Sequence, residues 1–524
     1  MRVIYVDVDT LRADHTTPYG YRRPTTPNLQ RLADRGVTFD RYYCSDSPCL
    51  PSRTALTSGQ FGITNGVIGH FGEAARFRLD PGHNAHPTRP LLGQQLGAHG
   101  HYTAAVSMFA ERHRAYHFLG NFRESVRATN EINDEDGREV NRVGLDWIRR
   151  HAHEDDWYLH LTYWEPHTPY LADPGWTERA AASGPPPAWP DQAAIDAHAE
   201  VYGPRTALDL HYSGVPQDSP DPRTTPDAIR TRADFEQLVD GFDGTIMYWD
   251  SLFGELLATL TELGIAGDTA IVVSADHGES FGEHGSYGEH GHATEPVHRV
   301  PLVVYWPGVT DDLPDEARHC DNLLYNIDLA PTLCELLGVP VPAGWQGTSF
   351  ADAVHGEPGP SREYLVLGHG AHTYQRSVRT RDHLYIRTYH PGCNRTEWEQ
   401  LFDVTADPHL TTDLLDAEPG LADRMRTRLA EWWHTYAGRP GALPDPMQTT
   451  LQVGPVYYND PPAYAEHLRA TGREHLAEHL EANLAAATGA TPVSWHATDE
   501  AWPPGRREAW ERRVAERRAR QVAR

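Results

Sequence analysis

Through its first two-thirds the chain alternates short apolar runs with amphipathic helical stretches, and this alternation narrows its possible folds more than any other feature. Strands that alternate with helices build a parallel sheet covered on both faces. Residues 3–8 read as the first buried strand. The pattern predicts helices over 26–36, ending at Gly36, and over 91–99, followed by a strand over 102–106. An amphipathic helix over 140–151 leads into a strand over 157–163, and one long helix over 235–263 leads into a β-branched strand over 269–274. A strand at 301–305 and a helix over 327–337 close the series.

A chain of 524 residues has room for a large α/β domain and a smaller partner. The main domain is expected over 1–360. Within it, the stretch 174–226 is dense in proline, alanine and aspartate and reads as an insertion or lid. Short strands predicted at 364–367, 376–379, 383–387 and 400–404 suggest a small antiparallel subdomain over 361–450. Residues 455–462 read as a linker, and charged stretches at 464–487 and 506–524 predict a helical extension over 451–524. The last stretch sets its arginines against Glu508, Glu511 and Glu516, which suits a solvated or subunit-contacting helix better than a nucleic-acid arm.

The formal charge of −27 disfavours nucleic acid and anionic membrane as partners. No run approaches the length of a membrane span, and the first residues enter a strand with no export signal, so a cytoplasmic protein is the expectation. Five cysteines (Cys44, Cys49, Cys320, Cys334, Cys393) are too few and too scattered for a disulfide framework, and no CxxC pair suggests structural zinc. All 46 basic residues are arginine; there is no lysine. An anionic substrate must therefore be drawn in against the global field by arginine, histidine or a metal ion.

Two strand ends carry carboxylates. Asp7 and Asp9 lie on one face where the first strand closes, and Asp276 with His277 closes the strand that begins at Thr269. A carboxylate ending a buried apolar strand is costly unless it is paired or metal-bound. The run Cys49-Leu50-Pro51-Ser52-Arg53, with Gly59 six residues on, reads as a helix start and stop. It puts Cys49 at a helix N-terminus, where free N–H groups and the dipole favour an anion.

The Cys-Leu-Pro-Ser-Arg run resembles the signature of type I sulfatases, of the alkaline phosphatase-like superfamily. The resemblance extends from Val3 to about Leu415. It includes Tyr102-Thr103-Ala104, the His167-Thr168-Pro169-Tyr170 motif, Asp276-His277-Gly278, and a late Leu401-Phe402-Asp403-Val404 segment followed by Asp407-Pro408. It implies a large parallel or mixed sheet covered by helices on both faces, and a small antiparallel C-terminal subdomain. It also implies sulfate-ester hydrolysis by a formylglycine made from Cys49, matured by a formylglycine-generating enzyme. The family's divalent metal is usually Ca2+, with Mn2+ or Mg2+ tolerated beside an imidazole. Its ligands here would be Asp7, Asp9, Asp276, His277 and the modified Cys49, with Thr10 standing where many members have a second acid. Arg53 would hold the aldehyde hydrate, and His167 would contact the sulfate and protonate the leaving oxygen.

The family's two active-site lysines have no counterpart. Arg112, His113 and His117 are the candidates for the first, and His290 or His292 for the second; a histidine there would have to be protonated to serve as a cation. His284 and His298 add to the histidines near Asp276, but their spacing matches no standard zinc motif. The substrate would be a small-molecule or saccharide sulfate ester, and the family association points to a homodimer. Two other readings stand beside this one. They are a phosphonate monoester or phosphodiester hydrolase of the same superfamily, and an inactive anion-binding or assembly protein whose missing lysines mark lost activity.

Overall fold

The first apolar run forms a strand, Arg2–Val8, buried over its whole length and set inside an eight-stranded sheet. The computed structural model describes residues 1–78, 89–129, 136–170, 172–212, 224–457, 459–487 and 493–494. Across the sheet the strands run His319–Cys320, Val37–Phe39, Leu302–Tyr305, Thr269–Ala275, Arg2–Val8, Trp157–Tyr163, Tyr102–Val106 and Glu124–Val126. Arg2–Val8 pairs in parallel with both neighbours, Asp7 lying opposite Thr162 on one side and Ser274 on the other. Leu302–Tyr305 runs antiparallel to Thr269–Ala275 and to Val37–Phe39, so the sheet is mixed. Both faces of its central strands are apolar and packed, as helix-covered strands require.

The long helix spans Arg232–Glu262 and starts three residues before the apolar pattern does. Thr231 and Asp234 supply the reason: they form a reciprocal cap that satisfies the first backbone donors. Two glycines on this helix let the 174–226 segment approach. A side chain at Gly244 would meet the backbone of Trp176 and Thr177 at 2.7 Å, in the helix Pro174–Ala182. The described part of that segment is therefore packed on the main domain, with a second helix at Gln192–His198; residues 213–223 lie outside the described residues.

The C-terminal strands Leu365–Gly370, Tyr374–Arg379, His383–His390 and Glu399–Asp403 pair antiparallel, as expected. A fifth strand was not foreseen: Asp46–Ser47 adds in parallel to Leu365–Gly370, with His369 opposite Ser47. Val366, Val378, Tyr385 and Leu401 bury the face that meets Ala422, Met425 and Leu429 of the helix Pro419–Trp433. The stretch 464–487 is two helices, Pro461–Ala470 and Glu474–Ala486, because Gly472 at φ 79° turns the chain between them. Arg473, His467 and Tyr464 all bond Asp209, which ties this pair to the 174–226 segment. Where a linker was expected, Val456–Tyr457 pairs with Val493–Ser494. The arginine-rich stretch 506–524 lies outside the described residues. Among the described residues no helix is long and apolar enough to cross a membrane.

Arg376 and Asp445 join the small sheet to the helix Pro446–Val453 through two bonds of 2.6 Å, both side chains buried. Burial alone would raise the Asp445 carboxyl, but Arg376 holds it below the usual carboxylate range. Asp445→Ala should cost about 3 kcal/mol, because it strands a buried guanidinium. A denaturant midpoint checks this. The folded-state value is depressed, so the difference from wild type should be full at neutral pH and shrink as the pH falls through the ordinary carboxylate range.

Candidate active site

The carboxyl ends of the two central strands meet over the sheet. Asp9 follows Arg2–Val8 and Asp276 follows Thr269–Ala275, which are neighbours in register. Thr10 takes a left-handed conformation, φ 58°, that turns the chain sharply after Asp9. Its N–H donates to Asp276 Oδ1 at 3.2 Å, and the His277 N–H donates to the same oxygen at 2.8 Å.

Cys49 opens the helix Cys49–Ser58, which is buried along its length and ends at Gly59 in the left-handed region. Any side chain at Gly59 would strike the Trp345 ring at 2.7 Å, so the stop is fixed by space as well as by φ. Ser52 Oγ donates to the Asp276 carbonyl at 2.6 Å, pinning the first turn of this helix to the second strand end. Cys49 Sγ lies 3.2 Å from His277 Nε2. Burial, then Asp9 and Asp276, push the thiol well above its ordinary pKa.

Arg53, one turn further on, faces three carboxylates. Its Nε and Nη2 donate to Asp7 at 2.7 and 3.1 Å, its Nη1 donates to Asp9 Oδ2 at 2.9 Å, and Nη1 lies 2.7 Å from Asp276 Oδ2. All four side chains are buried. A planar fork of donors suits this geometry, as an ammonium would not. One guanidinium against three carboxylates leaves the pocket short of positive charge.

The residues present fit a divalent cation. Asp9, Cys49, Asp276 and His277 each offer a donor atom, all within 4.8 Å of one another. Asp9 Oδ1 is buried and accepts no hydrogen bond, and beside it Asp276 Oδ2 faces Arg53 Nη1. His277 donates Nδ1–H to the Gly278 carbonyl at 2.9 Å, which turns the Nε2 lone pair toward those oxygens. Asp7 stands apart from this group. Its oxygens are taken by Arg53 and by His160 Nε2 at 3.0 Å, so it orients Arg53 instead of adding to the convergent donors. Burial would raise Asp7, but Arg53 and His160 bring it down to about 2.

The histidines divide. His167 stacks on Trp164 and donates Nδ1–H to the Thr168 carbonyl at 2.5 Å; its ring is 5.5 Å from that of His290. Burial, partly offset by Asp9, pushes His167 down to about 3. His290 lies 4.4 Å from the His277 ring, but burial and its neighbouring imidazoles hold it far below the ordinary histidine value. The cationic role expected of it would therefore need a bound anion to raise that value. His292 is not brought to Cys49; it stacks on His284. His113 is grouped with Cys49 through His70, its ring 4.7 Å from His70. His117 points elsewhere, to Thr54 Oγ1 at 2.9 Å. The Arg112 guanidinium sits 3.1 Å over the Trp164 ring, at a small cavity shared with Asp9, Phe109 and Thr162.

Three residues of this site were given no metal or catalytic role by the sequence reading. His70 follows a glycine-rich loop with no motif and reaches Cys49 only by folding, its Nε2 3.4 Å from the Leu50 N–H. His372 comes from the hairpin between Leu365–Gly370 and Tyr374–Arg379, far along the chain. His160 had a signal: it is a lone imidazole in a strand otherwise reading as core, beside the strand that carries Asp7.

Comparison with known proteins bears on the family and the fold. A family model described as Sulfatase matches residues 2–339, and one described as N-sulphoglucosamine sulphohydrolase, C-terminal, matches 282–433. The chain is 25% identical over 450 residues to a choline-sulfatase of Rhizobium meliloti, covering 76% of this chain and 79% of that protein. Its fold is similar to that of a protein solved with its substrate D-glucosamine-2-N,6-O-disulfate, with a TM-score of 0.65, 17% identity, and coverage of 82% of this chain and 97% of the other. It is similar, too, to a phosphonate monoester hydrolase of Agrobacterium radiobacter, with a TM-score of 0.61, 16% identity, and coverage of 82% and 95%.

Proposed function

Because the chain belongs to the sulfatase family, we propose that it hydrolyses sulfate monoesters at the Cys49 site, with Cys49 converted to formylglycine and a divalent cation, calcium first, held by Asp9, Asp276 and His277. The observation that carries this reading is the setting of Cys49. It opens a helix and shares a donor cluster with two carboxylates and an imidazole. A thiol raised by burial and two acids is a poor nucleophile as it stands. The modified residue would supply an oxygen nucleophile, and the cation would offset negative charge developing on the sulfate oxygens.

The remaining work falls to this chain's own side chains. Arg53 holds Asp9 through Oδ2 and Asp276 through Oδ2, which leaves Asp9 Oδ1 unbonded beside them. Arg112 offers a permanent charge at the mouth of the cavity. His167 has its Nδ1 proton committed to Thr168, so its other nitrogen is free to take a proton when an anion binds and return it to the departing oxygen. His70 and His113 share a second group of donors with Cys49. The alcohol half of the ester would be selected by the 174–226 segment and the hairpin carrying His372.

The test has two parts. The peptide that trypsin releases up to Arg53, from protein made in a host with a formylglycine-generating enzyme, should show aldehyde at position 49 by mass spectrometry; an intact thiol there sinks the mechanism. An aryl sulfate should then turn over faster than an aryl phosphonate monoester or a phosphate diester at equal concentration. The reverse ranking would make the chain a phosphonate or phosphodiester hydrolase, the reading that the Asp276-His277 pair and the fold of the phosphonate monoester hydrolase favour next. Chelation followed by calcium should remove and restore the activity.

A further inference from the structure

We propose that Glu289, His290 and His372 form a second divalent-cation site, of the zinc class, next to the first. Glu289 Oε1 lies 3.6 Å from His290 Nδ1 and 3.5 Å from His372 Nε2, and the three donor atoms all fall within 4.8 Å of one another. The side chains are buried, Glu289 being 5%, His290 7% and His372 7% exposed. His290 Nδ1 faces this group and has no hydrogen-bond partner. A buried ring nitrogen aimed at a carboxylate and a second imidazole, yet bonded to neither, is the arrangement a metal ion completes.

The donors come from two parts of the fold that are locked together. Glu289 ends the strand Tyr287–Glu289, and His372 sits at the tip of the hairpin of the small sheet. Thr373 Oγ1 donates to the Gly291 carbonyl at 2.7 Å, and Asn394 Nδ2 donates to the His372 carbonyl at 3.1 Å, holding the tip in place. A side chain at Gly291 would lie 3.3 Å from His372 Cβ, so a glycine there admits the close approach. The carboxylate is oriented by the His290 N–H, which donates to Glu289 Oε1 at 2.8 Å. Because His372 follows Glu289 by 83 residues, no local spacing could announce the set.

Two imidazoles and one carboxylate suit zinc, cobalt or manganese, whereas the carboxylate-rich first site suits harder ions. The His290 ring is 4.4 Å from that of His277 and 5.5 Å from that of His167, so a cation here would face the same reaction space. It would provide the fixed positive charge that a chain without lysine lacks. That role rests on the hydrolase reading; the site itself does not.

The test is a cobalt(II) titration of the full chain in excess calcium, followed by visible absorption. One cobalt equivalent should bind with ligand-field bands of an imidazole-rich site. His372→Gln and Glu289→Gln should each weaken it by at least about 100-fold, and Asp276→Asn should leave it in place. Absence of cobalt uptake, or uptake lost in Asp276→Asn and kept in His372→Gln, would overturn the proposal. Should the His372 variant not fold, X-ray absorption of zinc-loaded wild type decides: two imidazole ligands support the site, and one or none refutes it. A protein that hydrolyses no ester but binds cobalt in this way would lose the first reading and keep the second.

Discussion

Cys49→Ala should lower ester turnover by at least about 10^4-fold, as removal of a nucleophile does elsewhere, with a change in unfolding free energy of only about 1 kcal/mol for one buried sulfur. The two effects separate because the side chain of Cys49 meets His277 but does not brace the carboxylates or the helix. Arg53 braces Asp7, Asp9 and Asp276 without touching it, and Ser52 pins the helix to the second strand end on its own. Initial rates on an aryl sulfate and a denaturant midpoint measure both. Cys49→Ser is the sharper variant: a hydroxyl can accept a sulfuryl group but has no second hydroxyl with which to expel it, so release should stop at one equivalent of alcohol. Sustained turnover by Cys49→Ala within tenfold of wild type would place the chemistry on another residue.

Arg53→Ala should be among the most damaging single changes to the fold, costing about 3–5 kcal/mol in metal-free protein by stranding buried carboxylates. Arg53→Lys should recover little of this, since one ammonium cannot meet Asp7, Asp9 and Asp276 from their three directions. Calcium should stabilise both variants by more than it stabilises wild type, because the ion replaces part of the missing charge. Asp7 sets the pH sense. Its folded-state value is depressed to about 2, so its contribution is present above the ordinary carboxylate range and disappears as the pH falls toward that value. Thermal unfolding with and without chelator is the measurement. Equal stability of wild type and Arg53→Ala without metal would contradict the account of Arg53 as the brace of the site.

Much of this site was legible as sequence because its carboxylates and its cysteine sit in short runs whose local structure forces them into place. Asp9 and Asp276 end apolar strands that a doubly covered sheet makes neighbours, and Cys49 opens a helix with a glycine stop. What was hidden depends on contacts between distant segments. Strand period placed Asp7 and Asp9 on one face but could not say that Arg53 and His160 would claim Asp7. Burial decides the charge of His290, and burial is a property of the fold. The spacing of the histidines after Asp276 matched no zinc motif because it covers one segment alone; His372, which lies beside Glu289 and His290, arrives from another sheet.

The two-residue strand Asp46–Ser47 carries a consequence for how the molecule can be cut or rebuilt. It lies immediately ahead of the helix bearing Cys49 and is clamped in the C-terminal sheet, where Ser47 Oγ also meets His369 Nδ1 at 2.8 Å and His298 Nε2 at 3.0 Å. The segment leading into Cys49 thus belongs by sequence to one half of the protein and by strand pairing to the other. A fragment ending near residue 360 would keep Asp7, Asp9 and Asp276 and still lose the strand that anchors the segment ahead of Cys49. The halves are separable on paper, but the segment ahead of Cys49 is held by both.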